Sequence, residues 1–189
     1  MLILTLNIQS LSLAEDVSDL QIEGISIGDS LLDYFNEKEI KKAKQNYVYK
    51  DDSFYEAEFY KHKSFNNYEN IQIGLKKNDN NYIVHKVLGF NFIKNNINKK
   101  CFNKVDLVTK EIKNILSNTS IKTEEYPHSA DSSGKSLVKT AFIKHNTGEI
   151  WIECYDWSDK LTKQNNWIDN FGVNIVSNEY IFWINNKAY

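Results

Sequence analysis

The chain of 189 residues is 41% hydrophobic and 13% aromatic, so it can bury the core of one ordinary domain, and intrinsic disorder is disfavoured. Its 23 basic residues are all lysine, and its 25 acidic residues bring the net charge to −2. Nucleic-acid binders usually carry a basic surplus and arginines that grip phosphate and guanine. The composition therefore argues against nucleic acid as a partner.

The first 14 residues are uncharged and end in Ser12-Leu13-Ala14, which places small residues at both positions that a signal peptidase reads. The segment is too short to span a bilayer, which needs about 20 apolar residues. It is typical of the apolar region and cleavage site of a secretory signal, although no Lys or Arg precedes it. We predict a periplasmic or secreted protein with one domain over residues 15–189. The alternative is a first β-strand that stays in the fold of a cytosolic protein.

Short helices and three strands are predicted in the first half of the chain. Ser30 is a candidate N-cap, and Asn36 followed by Glu39 has the spacing of a capping box, which predicts a helix up to about residue 45. Alternating apolar residues then predict strands, and Gly89 is a candidate β-bulge in the third of them. These strands are residues 53–62, 69–77 and 82–93.

The second half begins with the clearest helix, whose apolar residues recur at steps of four and three. They are Cys101, Val105, Val108, Ile112 and Ile115. Strands are predicted at residues 120–126, 137–145, 149–157 and 167–176, and a last short helix is predicted after Ser177. We therefore expect an α+β fold, an antiparallel β-sheet with helices packed on one face. The order also permits two halves, residues 22–95 and 96–189, each with a helix and about three strands.

The two cysteines are predicted to form a disulfide. Cys101 lies on the apolar stripe of the helix, and Cys154 lies on the strand face that this helix should cover. An even number of cysteines in an exported protein favours a bridge, and chain entropy gives such a bridge roughly 4 kcal/mol. In a cytosolic protein the alternative is two buried free thiols.

The loop of residues 127–135 is the most polar and turn-rich stretch, and loops of this kind often carry function. His128, Asp131, Ser133 and Lys135 supply a base, a carboxylate, a hydroxyl and an ammonium that could orient a ligand. With Asp156 they could also support hydrolysis by a small envelope enzyme. The histidines lack metal-ligand spacing, so we predict neither a metal nor a cofactor.

Trp151, Tyr155 and Trp157 alternate along one strand and point away from the predicted helix. Exposed aromatic rows often mark sites for ligands, sugars included, or for partner proteins. If a second layer covers that face, these side chains are instead part of the core. The leading hypothesis is a non-enzymatic binding protein for an envelope protein or a small ligand.

The stretches IEGISIGDSLLDYF, SADSSGKS and IECYDWS resemble an uncharacterised family of small exported proteins from AT-rich bacteria, over nearly the whole chain after Ala14. The resemblance implies export and no particular activity. The layout of a short helix pair followed by antiparallel strands is also similar to the SmpA/OmlA lipoproteins and the β-lactamase inhibitor proteins. The cysteine that anchors a lipoprotein is missing after the signal, so this likeness implies no lipid anchor.

Overall fold

The computed structural model describes residues 14–94 and 99–189. The predicted signal segment lies outside these residues except for Ala14. The backbone N–H of Ala14 donates to the carbonyl of Ile115 at 2.7 Å, and the Ala14 side chain packs against the main core. No helix of the described residues is long and apolar enough to cross a membrane.

Seven strands form one antiparallel sheet, which confirms the predicted fold class. Along the sheet their order is β1-β2-β3-β7-β6-β5-β4, so the last strand of the chain lies in the middle and joins the two halves. The four strands that the sequence predicts in the second half are all present. The strands are β1 (Phe54–Tyr60), β2 (Asn70–Lys76), β3 (Val84–Phe92), β4 (Ser120–Pro127), β5 (Leu137–His145), β6 (Gly148–Asp156) and β7 (Asn170–Ser177).

Each α-helix of the described residues begins at a residue whose side chain caps it, apart from the helix that follows β3. The capping box of Asn36 and Glu39 is present, and Ser177 caps the last helix, as predicted. Ser158 caps a short helix that the sequence analysis missed. The helices are α1 (Glu37–Ala43), α2 (Lys100–Ile115), α3 (Asp159–Asn165) and α4 (Asn178–Asn186).

One face of the sheet, which we call the core face, is covered by α2, α1 and the N-terminal segment. Strand alternation points Ile150, Ile152 and Cys154 towards α2, and all three are fully buried. Cys101 and Cys154 form the predicted disulfide, with their Cα atoms 5.8 Å apart. The apolar stripe of α2 and the bridge together hold this helix on the sheet.

The opposite face, which we call the second face, is covered at one end by α4. Tyr180 and Trp183 of this helix are buried against Phe54 and Val176, which form a smaller, separate core. The sequence analysis expected helices on one face, and the structure adds α4 on the other. The rest of the second face is where strand alternation places the predicted aromatic row.

Gly89 does not form the predicted bulge. The pairing register of β2 and β3 shifts instead between Gly74 and Leu75. A Cβ atom on Gly89 would lie 2.7 Å from side-chain carbons of Ile22 and Tyr68. Gly89 therefore allows the N-terminal segment to pack closely on β3.

Candidate functional site

Four rings meet at the end of the second face that is remote from α4. The ring of Trp157 lies 4.7 Å from that of His128 and 4.6 Å from that of Trp167, measured between centroids. Tyr155 stacks on Trp157 at 5.5 Å with an angle of 17° between the ring planes. We call His128, Tyr155, Trp157 and Trp167 the aromatic patch.

The rings of the aromatic patch touch one another and are all half-buried. At these separations no space for a ligand remains between the rings, so the patch is not a cage that encloses a cation. What it offers is the outer surface of several joined rings. Such a surface suits a ligand that lies flat against it.

Three of the residues predicted for the site are therefore brought together, namely His128, Tyr155 and Trp157. Trp151 lies on the same face but outside the patch, where its ring is 6.3 Å from that of Phe142. Its indole N–H donates to Glu149 at 2.8 Å. Trp151 is also half-buried, so the second face is not a closed core at this position.

The predicted loop is built around the carboxylate of Asp131. One oxygen accepts from the backbone N–H and the hydroxyl of Ser133, at 3.0 and 2.7 Å. The other accepts from the N–H and the hydroxyl of Ser136, at 3.0 and 2.7 Å. The hydrogen bonds from Ser133 and then Ser136 hold the pKa of Asp131 well below its usual range. This arrangement favours a structural role for Asp131.

The loop is joined to the aromatic patch through Ser136. The hydroxyl of Ser136 accepts from the backbone N–H of Ser158 at 3.0 Å, next to Trp157. The Nδ1 atom of His128 accepts from the N–H of Ala130 at 3.1 Å. Ser133 and Lys135 are exposed beside the patch and not within it. The loop therefore positions His128 against Trp157.

Asp156, the second carboxylate of the hydrolase hypothesis, pairs with Leu137 and shares its strand parity with Cys154, on the core-face side. Tyr155 and Trp157 have the other parity. His128 belongs to the patch, so the hydrolase hypothesis would need groups that strand alternation directs to different faces.

Carboxylates surround the aromatic patch. Asp169 accepts from the backbone N–H of Trp157 at 2.8 Å. Burial raises the pKa of Asp169, and the charges of Asp156 and Asp159 raise it further. Within residues 14–94 and 99–189, no group of three or more His, Cys, Asp or Glu side chains could hold a metal ion.

A second group of polar side chains adjoins the patch on the same face. Glu153 precedes Tyr155 by two residues, and it faces Thr140 on β5 and Gly172 on β7. Asn174 lies one step further along β7 with the same parity. We call Glu153, Thr140 and Asn174 the Glu153 cluster.

The polar atoms of the Glu153 cluster are poorly satisfied. Thr140 and Asn174 are 0% and 3% exposed, and neither the hydroxyl of Thr140 nor the side-chain oxygen of Asn174 has a hydrogen-bond partner of normal geometry. The Thr140 hydroxyl is near enough to the Tyr126 phenol to lower its pKa slightly against the effect of burial. Glu153 accepts one long hydrogen bond, from Tyr155 at 3.4 Å.

The Glu153 carboxylate also lacks a salt bridge with any residue that the structure describes. The nearest cation that affects it is Lys86, whose ammonium is already bound to Glu56 and Gln72 at 2.8 and 2.7 Å. Burial raises the pKa of Glu153 because the charged form loses water without gaining a full partner.

Sequence reasoning missed Trp167 and the Glu153 cluster. Trp167 is the first residue of the predicted strand 167–176, but it lies in the loop between α3 and β7, where strand alternation does not assign its direction. Glu153 looked like an ordinary polar residue of an alternating strand. The only available signal was its position between Trp151 and Tyr155, which places a carboxylate between two aromatic side chains on one face.

No protein-family model matches this chain, and no curated protein or solved structure matches it either. The resemblances described from the sequence therefore gain no support from these comparisons. We therefore infer function from the geometry of the second face.

Proposed function

We propose that this chain is an exported, non-enzymatic binding protein that holds a saccharide on its aromatic patch. The observation that carries the proposal is the contact of Trp157 with His128, Tyr155 and Trp167, which joins four half-buried rings into one surface. Aromatic side chains with one accessible side are frequent in ligand sites because they bury large apolar area at low entropic cost.

The surroundings of the patch favour a saccharide over other flat ligands. The C–H face of a pyranose ring can lie on an aromatic surface while its hydroxyl groups point outwards. The carboxylates of Asp159 and Asp169 are acceptors for hydroxyl donors at the edge of the patch. The same negative charges would repel the phosphates of a nucleotide.

The disulfide supports the exported part of the proposal. Bridges of this kind persist in oxidising compartments and are rare in the cytosol. Expression in a host with a periplasm, with the natural upstream codons restored, tests this part by intact mass and thiol labelling. Cleavage after Ala14 with no free thiol supports export, whereas an intact chain with two labelled thiols contradicts it.

Binding is tested by titrating a panel of soluble oligosaccharides while tryptophan fluorescence is recorded. We expect saturable quenching by at least one member, and a loss of at least tenfold in affinity in Trp157→Ala. The matched control is Phe182→Ala, which removes an aromatic side chain that is 57% exposed on α4, outside the patch. Equal binding by Trp157→Ala and the wild type would show that the patch is not the site, provided that both variants unfold at similar temperatures.

A further inference from the structure

Glu153 is the one residue of the Glu153 cluster that is half-buried, since Thr140 and Asn174 are buried. A charged group held among aromatic side chains without a counter-ion costs stability, so its presence needs an explanation. The polar atoms that surround it, from Thr140 and Asn174, are themselves buried without partners. Thr140 and Asn174 thus present buried acceptor atoms without a hydrogen-bond partner among the described residues, and Glu153 accepts only one long hydrogen bond.

Strand register places these acceptors close together. Glu153 is directly opposite Thr140, and side chains in such pairs have Cβ atoms about 5 Å apart. Asn174 is diagonal to Glu153 across β6 and β7, which corresponds to about 7–8 Å. Gly172, directly opposite Glu153, has no side chain, and the side chain of Leu88 lies 3.1 Å from where its Cβ atom would be.

A compact cation with several hydrogen-bond donors would satisfy the acceptor atoms of the Glu153 cluster. A primary ammonium has one positive charge and three N–H donors. The cluster offers one carboxylate, one hydroxyl oxygen and one amide oxygen, from Glu153, Thr140 and Asn174. Trp151 and Tyr155 flank Glu153 on the same strand face, and aromatic faces add favourable energy to a bound cation.

The Glu153 cluster is close enough to the aromatic patch for one bound sugar to contact both. Tyr155, a member of the patch, is two residues from Glu153, which is about 7 Å along the strand. A pyranose ring stacked on Tyr155 can therefore extend a substituent to the Glu153 carboxylate. Thr140 and Asn174 are covered by neighbouring side chains, so the ammonium reaches them only when those side chains rotate.

We propose that the saccharide bound on the aromatic patch carries a free primary amine, and that its ammonium binds at the Glu153 cluster. This inference rests on the proposed function, since it requires the patch to bind the sugar ring. It names the ligand class as an amino sugar whose nitrogen is not acylated. An N-acetyl group would remove the charge and place a methyl group beside the carboxylate.

The test compares a glucosamine tetramer with an N-acetylglucosamine tetramer by isothermal titration calorimetry at physiological ionic strength. We expect the free amine to bind at least tenfold more tightly. Glu153→Gln should abolish this preference by lowering the affinity for the free amine to that for the acetylated tetramer. The matched control is Glu149→Gln on the same strand and face, whose carboxylate is already engaged by Trp151 and Lys144. It should keep the preference.

The outcomes separate the two proposals. Equal affinity for both tetramers, lost in Trp157→Ala, overturns the amine inference and leaves the saccharide site intact. A preference for the amine that persists in Glu153→Gln overturns the assignment to this cluster, because another acidic group must then bind the ammonium of the ligand. Binding of neither tetramer overturns the amine inference, and the oligosaccharide panel then decides the proposed function on its own.

Discussion

The buried ion pair beneath α4 gives the sharpest test of how the second face is stabilised. Glu56 and Lys86 are 5% and 8% exposed, and the Lys86 ammonium donates to Glu56 at 2.8 Å and to Gln72 at 2.7 Å. The Glu56 carboxylate also accepts from the phenols of Tyr49 and Tyr180, at 2.5 and 2.7 Å. Burial alone would raise the pKa of Glu56, but the charge of Lys86 and these hydrogen bonds lower it overall.

We expect Lys86→Met to lower the free energy of unfolding by about 3 kcal/mol at neutral pH. Breaking a buried pair by removing one partner costs about 3–5 kcal/mol, because an uncompensated charge remains. The lower end applies here because the two phenols still stabilise the Glu56 carboxylate. Adding Glu56→Gln removes the stranded charge, so the double variant should recover at least half of the loss.

The pH dependence follows from the same charges. In the wild type, the lowered pKa of Glu56 contributes stability that is present above its unfolded pKa, about 4.3, and is lost as the pH falls. Without Lys86, burial raises the pKa of Glu56, and the penalty is relieved when acid protonates it. The gap in stability between wild type and Lys86→Met should therefore begin to shrink while the pH is still above the unfolded pKa of about 4.3, and it should continue to shrink below it.

Urea denaturation followed by far-ultraviolet circular dichroism measures these differences. The control is Lys76→Met, since the Lys76–Glu179 pair is largely exposed and such pairs contribute about 0–1 kcal/mol. A loss below about 1 kcal/mol in Lys86→Met, or no recovery in the double variant, would refute the argument that a buried, coupled pair stabilises this face.

Three further predictions concern the rest of the fold. Replacing Cys101 and Cys154 by alanine should lower the free energy of unfolding by up to roughly 4 kcal/mol in urea, since the bridge joins residues 53 positions apart, and reduced wild type should match the variant. Asp131→Asn should lower the melting temperature at neutral pH, and the difference should shrink progressively as the pH falls below the unfolded pKa of about 3.9 towards the lowered folded pKa of Asp131. Gly89→Ala should destabilise the chain by about 1–3 kcal/mol through overlap with Ile22, whereas Gly134→Ala, whose added Cβ meets nothing within 4 Å, tests instead the cost of a left-handed backbone.

Much of the fold could be predicted because local pattern and tertiary packing agree. The helix stripe that begins at Cys101 and the alternation around Cys154 each identify a buried face, and an amphipathic helix on a sheet brings those two faces together. The disulfide followed from this agreement. The capping box at Asn36 could be predicted for the same reason, since both of its hydrogen bonds depend on residues three positions apart.

The errors arose where the decisive contact is distant in sequence. The pattern of its own strand predicts a bulge at Gly89. The position instead requires a glycine because the side chains of Ile22 and Tyr68 pack against its backbone. In the last helix Tyr180 and Trp183 are buried, whereas Ile181 and Ile184 are only partly buried against them. Tyr180 is buried because its hydroxyl reaches Glu56, 124 positions away. No periodicity in α4 carries that information.

The aromatic patch and the Glu153 cluster lie apart from the contacts that contribute most to stability. The functional proposals can therefore be tested separately from folding. The disulfide, α2 and the largest core lie on the core face, whereas the aromatic patch and the Glu153 cluster lie on the second face, away from α4. Burial raises the pKa of Glu153, so its charge is least favourable to folding at neutral pH, and Glu153→Gln should fold at least as stably there as the wild type. A carboxylate whose neutral replacement stabilises the fold but removes recognition of an amine would be retained for binding and not for structure.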